Sequence, residues 1–516
     1  MKKRLLILGG GTAGWITAAY LARLLGAKSA DGVEITLVEA DDIGIIGVGE
    51  GTFPTIRKTL KRIGIDEATL IRECDATFKQ GIKFTNWRCA PDNDSAGHYF
   101  HAFQPAAGRD GLDLLPYWLL GVAGDGLNWD QVNSPQKRVA DAHRAPKLIT
   151  HGDFTAPFNY AYHLDAVKLA RFLRKVAVDL GVRHLVDTVI DVNLDGAGAI
   201  KSISTRASGK MDADLYIDCS GFSAKLIGEA MRVPFRSCRS TLFCDSAVVV
   251  QVPYDASSPE IPSYTISTAQ EAGWTWDIGL EQRRGVGYVF SSAHTTTSRA
   301  HEVLAKYLGM PRESVAPREM HFQCGYRETS WQKNCVAIGL ASGFFEPLES
   351  TGIILIEVAA VMLATLFPWG GEMEPAARQF NALMLKRFER ARDFIKMHYS
   401  LTERRDSDFW RDNVNVSSLP DSLSELLERW RFRPPGPIDI DMNVDLFTEV
   451  SWQYVLYGMG YKTDLSNKSG VLRYHADAKV AFAKIQQEAD FAIQTLPTNR
   501  NLLAQARDRR FGAAVG

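Results

Sequence analysis

Three glycines near the start of the chain, Gly9, Gly11 and Gly14, have the spacing of a phosphate-binding turn. The first glycine allows a sharp turn, the second lets the backbone approach a pyrophosphate, and the third lets a helix pack closely on a strand. The N–H groups at the start of that helix attract the phosphate anions. This spacing predicts a dinucleotide ligand and does not separate FAD from NAD.

The elements around this turn agree with that prediction. Leu5–Leu8 is predicted to form a buried strand, Trp15–Ala22 has the apolar spacing of a helix, and Val33–Val38 is predicted to form a second strand. Glu39 ends the second strand, where its carboxylate can accept a hydrogen bond from a ribose hydroxyl. The alternative is a glycine-rich turn with a solvated glutamate, and the order strand, turn, helix, strand, acid argues against it.

A second group of candidates combines lysines with aromatic side chains. Either Lys79 or Lys83 could carry chemistry, although most lysines face water. The run His98–Phe103 holds two histidines and three aromatic residues, which suits either core packing or a flat aromatic ligand. Trp274 and Trp276 would point to one face of a strand, where core packing is the simpler explanation.

The third group lies in the turn before a long apolar helix, predicted over Ile353–Leu366. Pro347 and Gly352 bracket this turn, and the backbone N–H groups at the helix start can hold an anion. The carboxylate of Glu349 is an unusual neighbour for an anion unless it has a task of its own.

Composition limits the classes of function. With 46% hydrophobic and 23% charged residues and a formal net charge of -1, the 516 residues predict a soluble protein without an electrostatic case for nucleic acid or an anionic membrane. No apolar stretch is long enough to cross a bilayer. The seven cysteines are scattered without a C-x-x-C pair, which favours a reducing cytoplasm and gives no sign of a metal site.

Taken in order, the motifs resemble those of the flavin-dependent tryptophan halogenases, from Gly9 to about Gly460. Members acting on indole-like substrates are the nearer group, because the C-terminal segment lacks the residues that grip free tryptophan. The elements that together make the resemblance specific are Gly9–Trp15, Gly47-Val48-Gly49-Glu50, Ala76-Thr77-Phe78-Lys79, Asp218-Cys219-Ser220-Gly221-Phe222, Trp274 with Trp276, and Phe345-x-Pro347-x-x-Ser350-x-Gly352.

The resemblance implies a two-component enzyme. Reduced FAD, supplied by a separate NAD(P)H-dependent flavin reductase, would form hypohalous acid from O2 and chloride or bromide, and a tunnel would lead the acid to Lys79. Lys79 would hold the electrophile by a hydrogen bond or as a haloamine, and Glu349 would orient it and help to remove the ring proton. The resemblance therefore favours Lys79 over Lys83 and implies a small indole-like aromatic as substrate.

The resemblance also implies binding residues. The halide would lie at the backbone of Thr351 and Gly352. The residues implied at the substrate, where two tryptophans keep it away from the flavin, are His101, Phe103, Trp274 and Trp276. The residues implied at the cofactor are Gly9, Gly11, Thr12, Ala13, Gly14, Glu39, Gly49, Val189, Leu340 and Ile353.

Two positions depart from the family pattern. Gly279 stands where the motif W-x-W-x-I-P has proline, so the turn supporting the tryptophans is expected to be looser. The run Phe447–Tyr454 differs in spacing from the aromatic and asparagine set of the tryptophan-specific members. We therefore expect an open site for free indole, a tryptophan derivative or a larger indole compound.

The predicted fold class is α/β: an FAD-binding doubly wound (Rossmann-type) domain, an inserted β-rich substrate region and a helical C-terminal cap. A polar helix is predicted near residues 474–508. The expected parts are residues 1–90 and 160–235 for FAD, 91–159 as a substrate-side insertion, 236–330 as the β-rich substrate region, 331–371 for FAD and halide, and 372–516 as the cap.

These observations predict a cytoplasmic FADH2-dependent halogenase, for which a homodimer is compatible with the sequence and not required by it. The alternative enzyme is a flavin-dependent aromatic monooxygenase of the same architecture. Hydroxylation needs the ring close to the flavin, so Lys79, Glu349 and the paired tryptophans argue against it. A further alternative is a flavin-binding protein without turnover.

Overall fold

The computed structural model describes residues 2–41, 49–91, 97–105, 111–254 and 260–512. Packing divides the chain into two compact units, each assembled from three stretches of sequence. Unit 1 consists of Met1–Asp75, Leu164–Arg239 and Phe322–Glu389. Unit 2 consists of Ala76–His163, Ser240–His321 and Arg390–Gly516.

The described strands are numbered along the chain. They are β1 Arg4–Leu8, β2 Glu34–Glu39, β3 Glu50–Gly51, β4 Thr77–Lys79, β5 Gly81–Thr85, β6 Tyr99–Ala102, β7 Ala161–Leu164, β8 Arg183–Val186, β9 Val189–Leu194, β10 Ile200–Thr205, β11 Gly209–Met211, β12 Leu215–Asp218, β13 Arg236–Ser237, β14 Ser246–Pro253, β15 Thr265–Gln270, β16 Gly273–Gly279, β17 Arg283–Phe290, β18 Arg318–His321, β19 Gly325–Tyr326, β20 Trp331–Gln332, β21 Cys335–Ala337 and β22 Gly343–Phe344.

The helices are numbered in the same way. They are α1 Thr12–Leu24, α2 Ile56–Ile63, α3 Glu67–Cys74, α4 Leu115–Leu119, α5 Trp129–Val132, α6 Gln136–Asp141, α7 Ala166–Asp179, α8 Thr297–Leu308, α9 Thr351–Thr365, α10 Glu374–Ser400, α11 Asp408–Asn413, α12 Asp421–Trp430, α13 Glu449–Gly458, α14 His475–Thr495 and α15 Asn499–Asp508. None of the helices in the described ranges is both long and apolar enough to span a bilayer.

Unit 1 is organised around a six-stranded sheet of order β20-β21-β12-β1-β2-β8. β1 pairs in parallel with β12 and β2, and its last four residues are buried, as a strand between two parallel neighbours requires. Helix α1 packs against α7 and α9. A three-stranded sheet, β9 to β11, contributes Val189, Ile200 and Ile203 to a core shared with Leu6 and Tyr216. The predicted α/β class with a parallel, Rossmann-type sheet is confirmed.

Unit 2 contains a seven-stranded sheet of order β18-β14-β17-β16-β15-β5-β6. Only the pair β15–β5 is parallel among the pairs of this sheet in the described residues. Helix α8 covers β14 and β17, and Val303 and Leu304 pack on Val248 and Tyr288. β4 lies outside this sheet and pairs antiparallel with β7. The region after α10 is helical, as predicted.

The C-terminal segment packs against β4. The predicted polar helix near 474–508 is in fact two helices, α14 and α15, because Pro497 cannot continue a helix and Leu496 before it is extended. The side chain of Asn499 is fully buried and its amide donates to the carbonyl of Phe78 at 3.5 Å. Phe511 packs edge-on against Phe78, with ring centroids 6.3 Å apart.

A buried cation completes this contact. The Nζ atom of Lys147 lies 4.1 Å from the ring centroid of Phe511, in cation–π geometry, and donates to the carbonyl of Gly152 at 2.8 Å. The backbone N–H of Gly512 donates to Ile149 at 3.0 Å. The end of the described chain is therefore fixed behind the strand that carries Lys79.

Candidate active site

The three glycines at the start of unit 1 occupy three different environments. Gly9 has a φ of +115°, and a Cβ atom there would collide with the carbonyl of Cys219 on the neighbouring strand connection. A Cβ atom at Gly14 would collide with the carbonyl of Gly9. A Cβ atom at Gly11 would meet nothing within 4 Å. The turn and the helix contact therefore require Gly9 and Gly14, whereas Gly11 borders open space where α1 begins.

Glu39 lies at the end of β2, beside this turn. Its carboxylate accepts a hydrogen bond from His184 Nε2 at 2.7 Å, and Arg174 lies 3.9 Å away. The His184 ring packs edge-on against Trp15, with centroids 5.1 Å apart. Gly10 is also required, because a Cβ atom there would occupy the position of the Glu39 carboxylate. Nothing in the sequence pattern pointed to His184, which comes from β8.

The other residues implied at the cofactor lie around α1 and α9. A Cβ atom at Gly339 would be 2.7 Å from that of Ala13, so the 3-10 turn that carries Leu340 lies against the first turn of α1. Ile353 is buried in the first turn of α9. Val189 is buried at the start of β9, and Thr12 and Gly49 are partly exposed. Gly47 and Val48 lie outside the described residues.

Helix α9 begins without a side-chain cap. Ser350 precedes it with a φ of +56°, and Thr351 is buried with its hydroxyl lacking a hydrogen-bond partner in the described part of the chain. Gly352 is exposed, and a Cβ atom there would meet nothing within 4 Å. Glu349, in the preceding 3-10 turn, is fully buried. The first-turn N–H groups and the Thr351 hydroxyl are donors suited to a small anion.

A second buried carboxyl group lies on α9, and the apolar pattern of that helix hid it from sequence analysis. Glu357 is 2% exposed and accepts hydrogen bonds from the hydroxyls of Thr59, at 2.5 Å, and Thr55, at 3.2 Å. Burial raises the pKa of Glu357 to about 8, against an ordinary value of 4.5. The two threonines belong to α2 and its N-cap, so Glu357 joins α2 to α9.

The pKa of Glu357 makes the stability of unit 1 depend on pH. Between about pH 4.5 and 8 the unfolded chain releases this proton and the native chain keeps it, so the free energy of unfolding falls as pH rises. We expect the Glu357→Gln variant to gain stability over the parent by about 1 kcal/mol per pH unit across this window and to level off above pH 8. Urea unfolding at pH 5, 6.5 and 8 measures the difference.

The exposed Glu374 supplies the control for that series. Its carboxylate pairs with Arg378 at the surface of α10, so Glu374→Gln is expected to change stability equally at the three pH values. A constant difference between Glu357→Gln and the parent would show that Glu357 is ionised in the native state.

In unit 2 the structure separates the two candidate lysines. Lys79, the last residue of β4, is fully buried, and its Nζ atom lies 5.3 Å from the ring centroid of Phe103. The Lys83 side chain is 35% exposed and forms an ion pair with Asp141 at 3.4 Å. Lys79 is thus the buried lysine beside Phe103, whereas the partly exposed Lys83 lies opposite Phe100 across β5 and β6.

The aromatic residues around His101 come from three parts of unit 2. His101 lies on β6, with ring centroids 5.9 Å from Phe394 and 5.8 Å from Tyr454. Phe394 stacks on Phe447 at 3.8 Å. Tyr454 and Phe447 belong to the run Phe447–Tyr454 of the predicted cap. Phe394 lies on α10, a long amphipathic helix in which no sequence pattern marks the face that meets His101.

Trp274 and Trp276 share one face of β16, as their spacing predicts, with ring centroids 6.2 Å apart. At Gly279, the position where a looser turn is expected, β16 is paired to its end. Gly279 is buried and paired at the end of β16, and its carbonyl accepts a hydrogen bond from the Thr77 hydroxyl at 2.6 Å. A Cβ atom there would be 2.6 Å from the Tyr254 hydroxyl, so a tyrosine fills the space that a larger residue would need.

The two units thus collect different predicted residues. Unit 1 holds the glycine turn, Glu39 and the α9 start with Glu349, and unit 2 holds Lys79, Phe103, His101 and the two tryptophans. Each set is chemically coherent: unit 1 offers backbone donors for anions, and unit 2 offers a buried amine among aromatic rings.

Comparison with known proteins identifies the family. The family model described as tryptophan halogenase matches residues 4–472. The tryptophan 6-halogenase SttH of Streptomyces toxytricini is 34% identical over 528 residues, covering 98% of both chains. The 7-chloro-L-tryptophan 6-halogenase KtzR of Kutzneria sp. is 36% identical over 526 residues, covering 98% of this chain and 99% of that relative.

Solved structures give the same result. A tryptophan halogenase from Shewanella frigidimarina superposes with a TM-score of 0.93 at 40% identity, covering 99% of this chain and 98% of that one. BrvH, a flavin-dependent halogenase from Brevundimonas sp. BAL3, superposes with a TM-score of 0.87 at 32% identity, covering 98% and 99%. The chain belongs to the tryptophan halogenase family.

Proposed function

We propose that this protein is an FADH2-dependent halogenase that places chlorine or bromine on an indole-like ring, working with a separate flavin reductase. The observation that carries this proposal is the burial of Lys79 beside Phe103. A buried amine among aromatic rings serves no purpose in packing that an apolar residue would not serve better. It is, however, a suitable group for holding an electrophile next to a flat substrate.

The residues of unit 1 fit FAD. The open space at Gly11, the uncapped start of α1 and the Glu39 carboxylate suit a pyrophosphate followed by a ribose. Bound FADH2 would supply the two electrons and two protons with which O2, a halide ion and one further proton become hypohalous acid and water. The halide would be held by the first-turn N–H groups of α9 and the Thr351 hydroxyl.

The chain's own residues would then direct the electrophile. Lys79 would hold it either by a hydrogen bond from the ammonium or as a haloamine. Glu349 would accept the proton that the ring loses. The neighbouring side chains of Trp274 and Trp276 would keep the substrate apart from the flavin. Without that separation, hydroxylation of the ring would compete with halogenation.

The aromatic surroundings of His101 support an indole-like substrate. Phe103 lies beside Lys79, and Phe394 and Tyr454 lie beside His101; aromatic rings of this kind stack on an electron-rich ring. The names of SttH and KtzR describe a tryptophan 6-halogenase and a 7-chloro-L-tryptophan 6-halogenase. For this chain we propose free indole, a tryptophan derivative or a larger indole compound.

The test supplies the protein with FAD, a flavin reductase, NADH, oxygen and indole, and follows products by mass spectrometry with bromide, with chloride and without halide. We expect a product with the isotope pattern of the halide supplied and no product without halide. A hydroxylated product that forms without halide would instead identify an aromatic monooxygenase. Tight FAD binding without product from any indole compound would identify a binding protein without turnover.

A further inference from the structure

The strand that carries Lys79 shares one of its faces with a buried histidine. β4 and β7 pair antiparallel, with Thr77 opposite His163 and Lys79 opposite Ala161. Directly paired residues of two strands point to the same face, and so do residues two apart on one strand. Lys79 and His163 are therefore diagonal neighbours on one face of this strand pair.

The opposite face is occupied by packing. Phe78 lies there with Tyr162, its partner across the strands, at a centroid distance of 5.9 Å. Tyr160 packs on the same ring at 5.4 Å. The face of Lys79 and His163 is thus the polar side of the strand pair.

His163 is fully buried, and its two ring nitrogens differ. Nε2 lies 2.8 Å from the hydroxyl of Thr265, the first residue of β15. Nδ1 is buried without a hydrogen-bond partner among the residues that the structure describes. Buried polar atoms are nearly always paired, with protein, ordered water or a ligand, so we expect a small polar molecule, water or a ligand, at Nδ1.

The charge of the neighbouring residue decides what this molecule can be. Burial, and then the positive charge of Lys79, hold the pKa of His163 well below its ordinary value, so the ring is neutral. We assign the remaining ring proton to Nε2, where it is donated to the Thr265 hydroxyl, because the positive charge of Lys79 on the same face disfavours an N–H group at Nδ1; in this tautomer Nδ1 is an acceptor only. It binds a molecule that donates a proton, and it rejects a bare halide ion.

We propose that His163 Nδ1 and Lys79 together bind hypohalous acid, the histidine accepting the hydrogen bond of its O–H group while the lysine ammonium donates to its oxygen. This inference rests on the proposed function. These two hydrogen bonds hold the O–H group of the acid, so the halogen is the atom left without a hydrogen bond. They also fix the direction in which the O–halogen bond points. His163 is accordingly a second catalytic residue beside Lys79.

The transfer step balances with these groups. The carbon–halogen bond forms as the oxygen–halogen bond breaks, and the electron pair of the broken bond stays on oxygen. That oxygen takes a proton from the Lys79 ammonium and leaves as water. The proton lost by the ring balances the one that Lys79 gave.

Two substitutions separate the ring nitrogens. The amide of His163→Asn places a polar atom near the position of Nδ1, and that of His163→Gln places one near Nε2. The readout is the fraction of hypohalous acid that reaches indole rather than a dissolved thioether, measured at equal rates of flavin oxidation. We expect this fraction to fall about tenfold in His163→Gln and to stay within about threefold of the parent in His163→Asn.

Two further variants test whether a loss in the halogenated fraction comes from disturbed packing of β7 rather than from His163. Tyr162→Phe changes the opposite face of β7 and is expected to keep the parent fraction. Thr265→Val removes the group that fixes the proton on Nε2, so it should lower the fraction without changing His163 itself. Thermal unfolding checks that each variant is folded.

The outcomes distinguish this inference from the proposed function. If the parent halogenates indole and His163→Gln keeps the parent fraction, the inference is wrong and the function stands. Equal losses in His163→Asn and His163→Gln would also overturn it, since the ring shape rather than Nδ1 would then matter. A parent that yields neither halogenated indole nor oxidised thioether contradicts the proposed function and this inference with it.

Discussion

Replacing Lys79 with alanine is expected to lower the yield of halogenated indole by about 1,000-fold or more, while the oxidation of reduced flavin continues. The reason is that Lys79 is the buried amine beside Phe103, and removing it leaves the electrophile without a donor at the ring. The measurement compares product by mass spectrometry with the rate of flavin reoxidation, both under the conditions of the functional test.

Lys83 is the matched control for this prediction. It is the same residue type, four positions further along, but it is partly exposed and paired with Asp141. Lys83→Ala is expected to keep the parent yield within about twofold, since exposed ion pairs contribute little. Equal losses in both variants, or an undiminished yield in Lys79→Ala, would show that the catalytic amine is not Lys79.

The second large effect is predicted at the glycine turn, where two substitutions should fail in different ways. Gly9→Ala places a Cβ atom against the carbonyl of Cys219 and forces a non-glycine residue to a φ of +115°, so we expect a loss of at least about 3 kcal/mol in the free energy of unfolding. Gly11→Ala meets no protein atom within 4 Å, and should unfold like the parent.

The two variants differ again in FAD binding. The added methyl group of Gly11→Ala points into the space proposed for the pyrophosphate, and is expected to raise the Kd for FAD about tenfold or more in a folded protein. Flavin fluorescence titration and urea unfolding measure the two quantities separately. If Gly11→Ala binds FAD as the parent does, the pyrophosphate does not pass this glycine.

The sequence was most informative where chemistry depends on neighbouring residues in the chain. The strand, glycine turn and helix from Leu5 to Ala22 were predicted from local spacing, and the parallel sheet around them is confirmed. The shared face of Trp274 and Trp276 follows from the two-residue period of a strand in the same way.

The sequence was least informative where distant segments meet. Lys79 and Lys83 cannot be told apart by spacing, since what separates them is burial next to Phe103 and pairing with Asp141. His163 and Glu357 each lie in a segment whose pattern indicates packing. Their functional interest comes from Thr265, in the first case, and from Thr55 and Thr59, in the second. No local pattern in the sequence encodes such partners.

The position of Phe511 against Phe78 has a consequence for the order of events during synthesis. The hydrogen bond from Asn499 to Phe78 joins residues 421 positions apart. At about 5–20 residues per second a ribosome needs roughly 20–80 s to make that stretch, and domains begin to fold meanwhile. The strand that carries Lys79 therefore waits for α15, and a nascent protein, or one shortened to end before α15, has the reactive lysine without the packing that holds it in place.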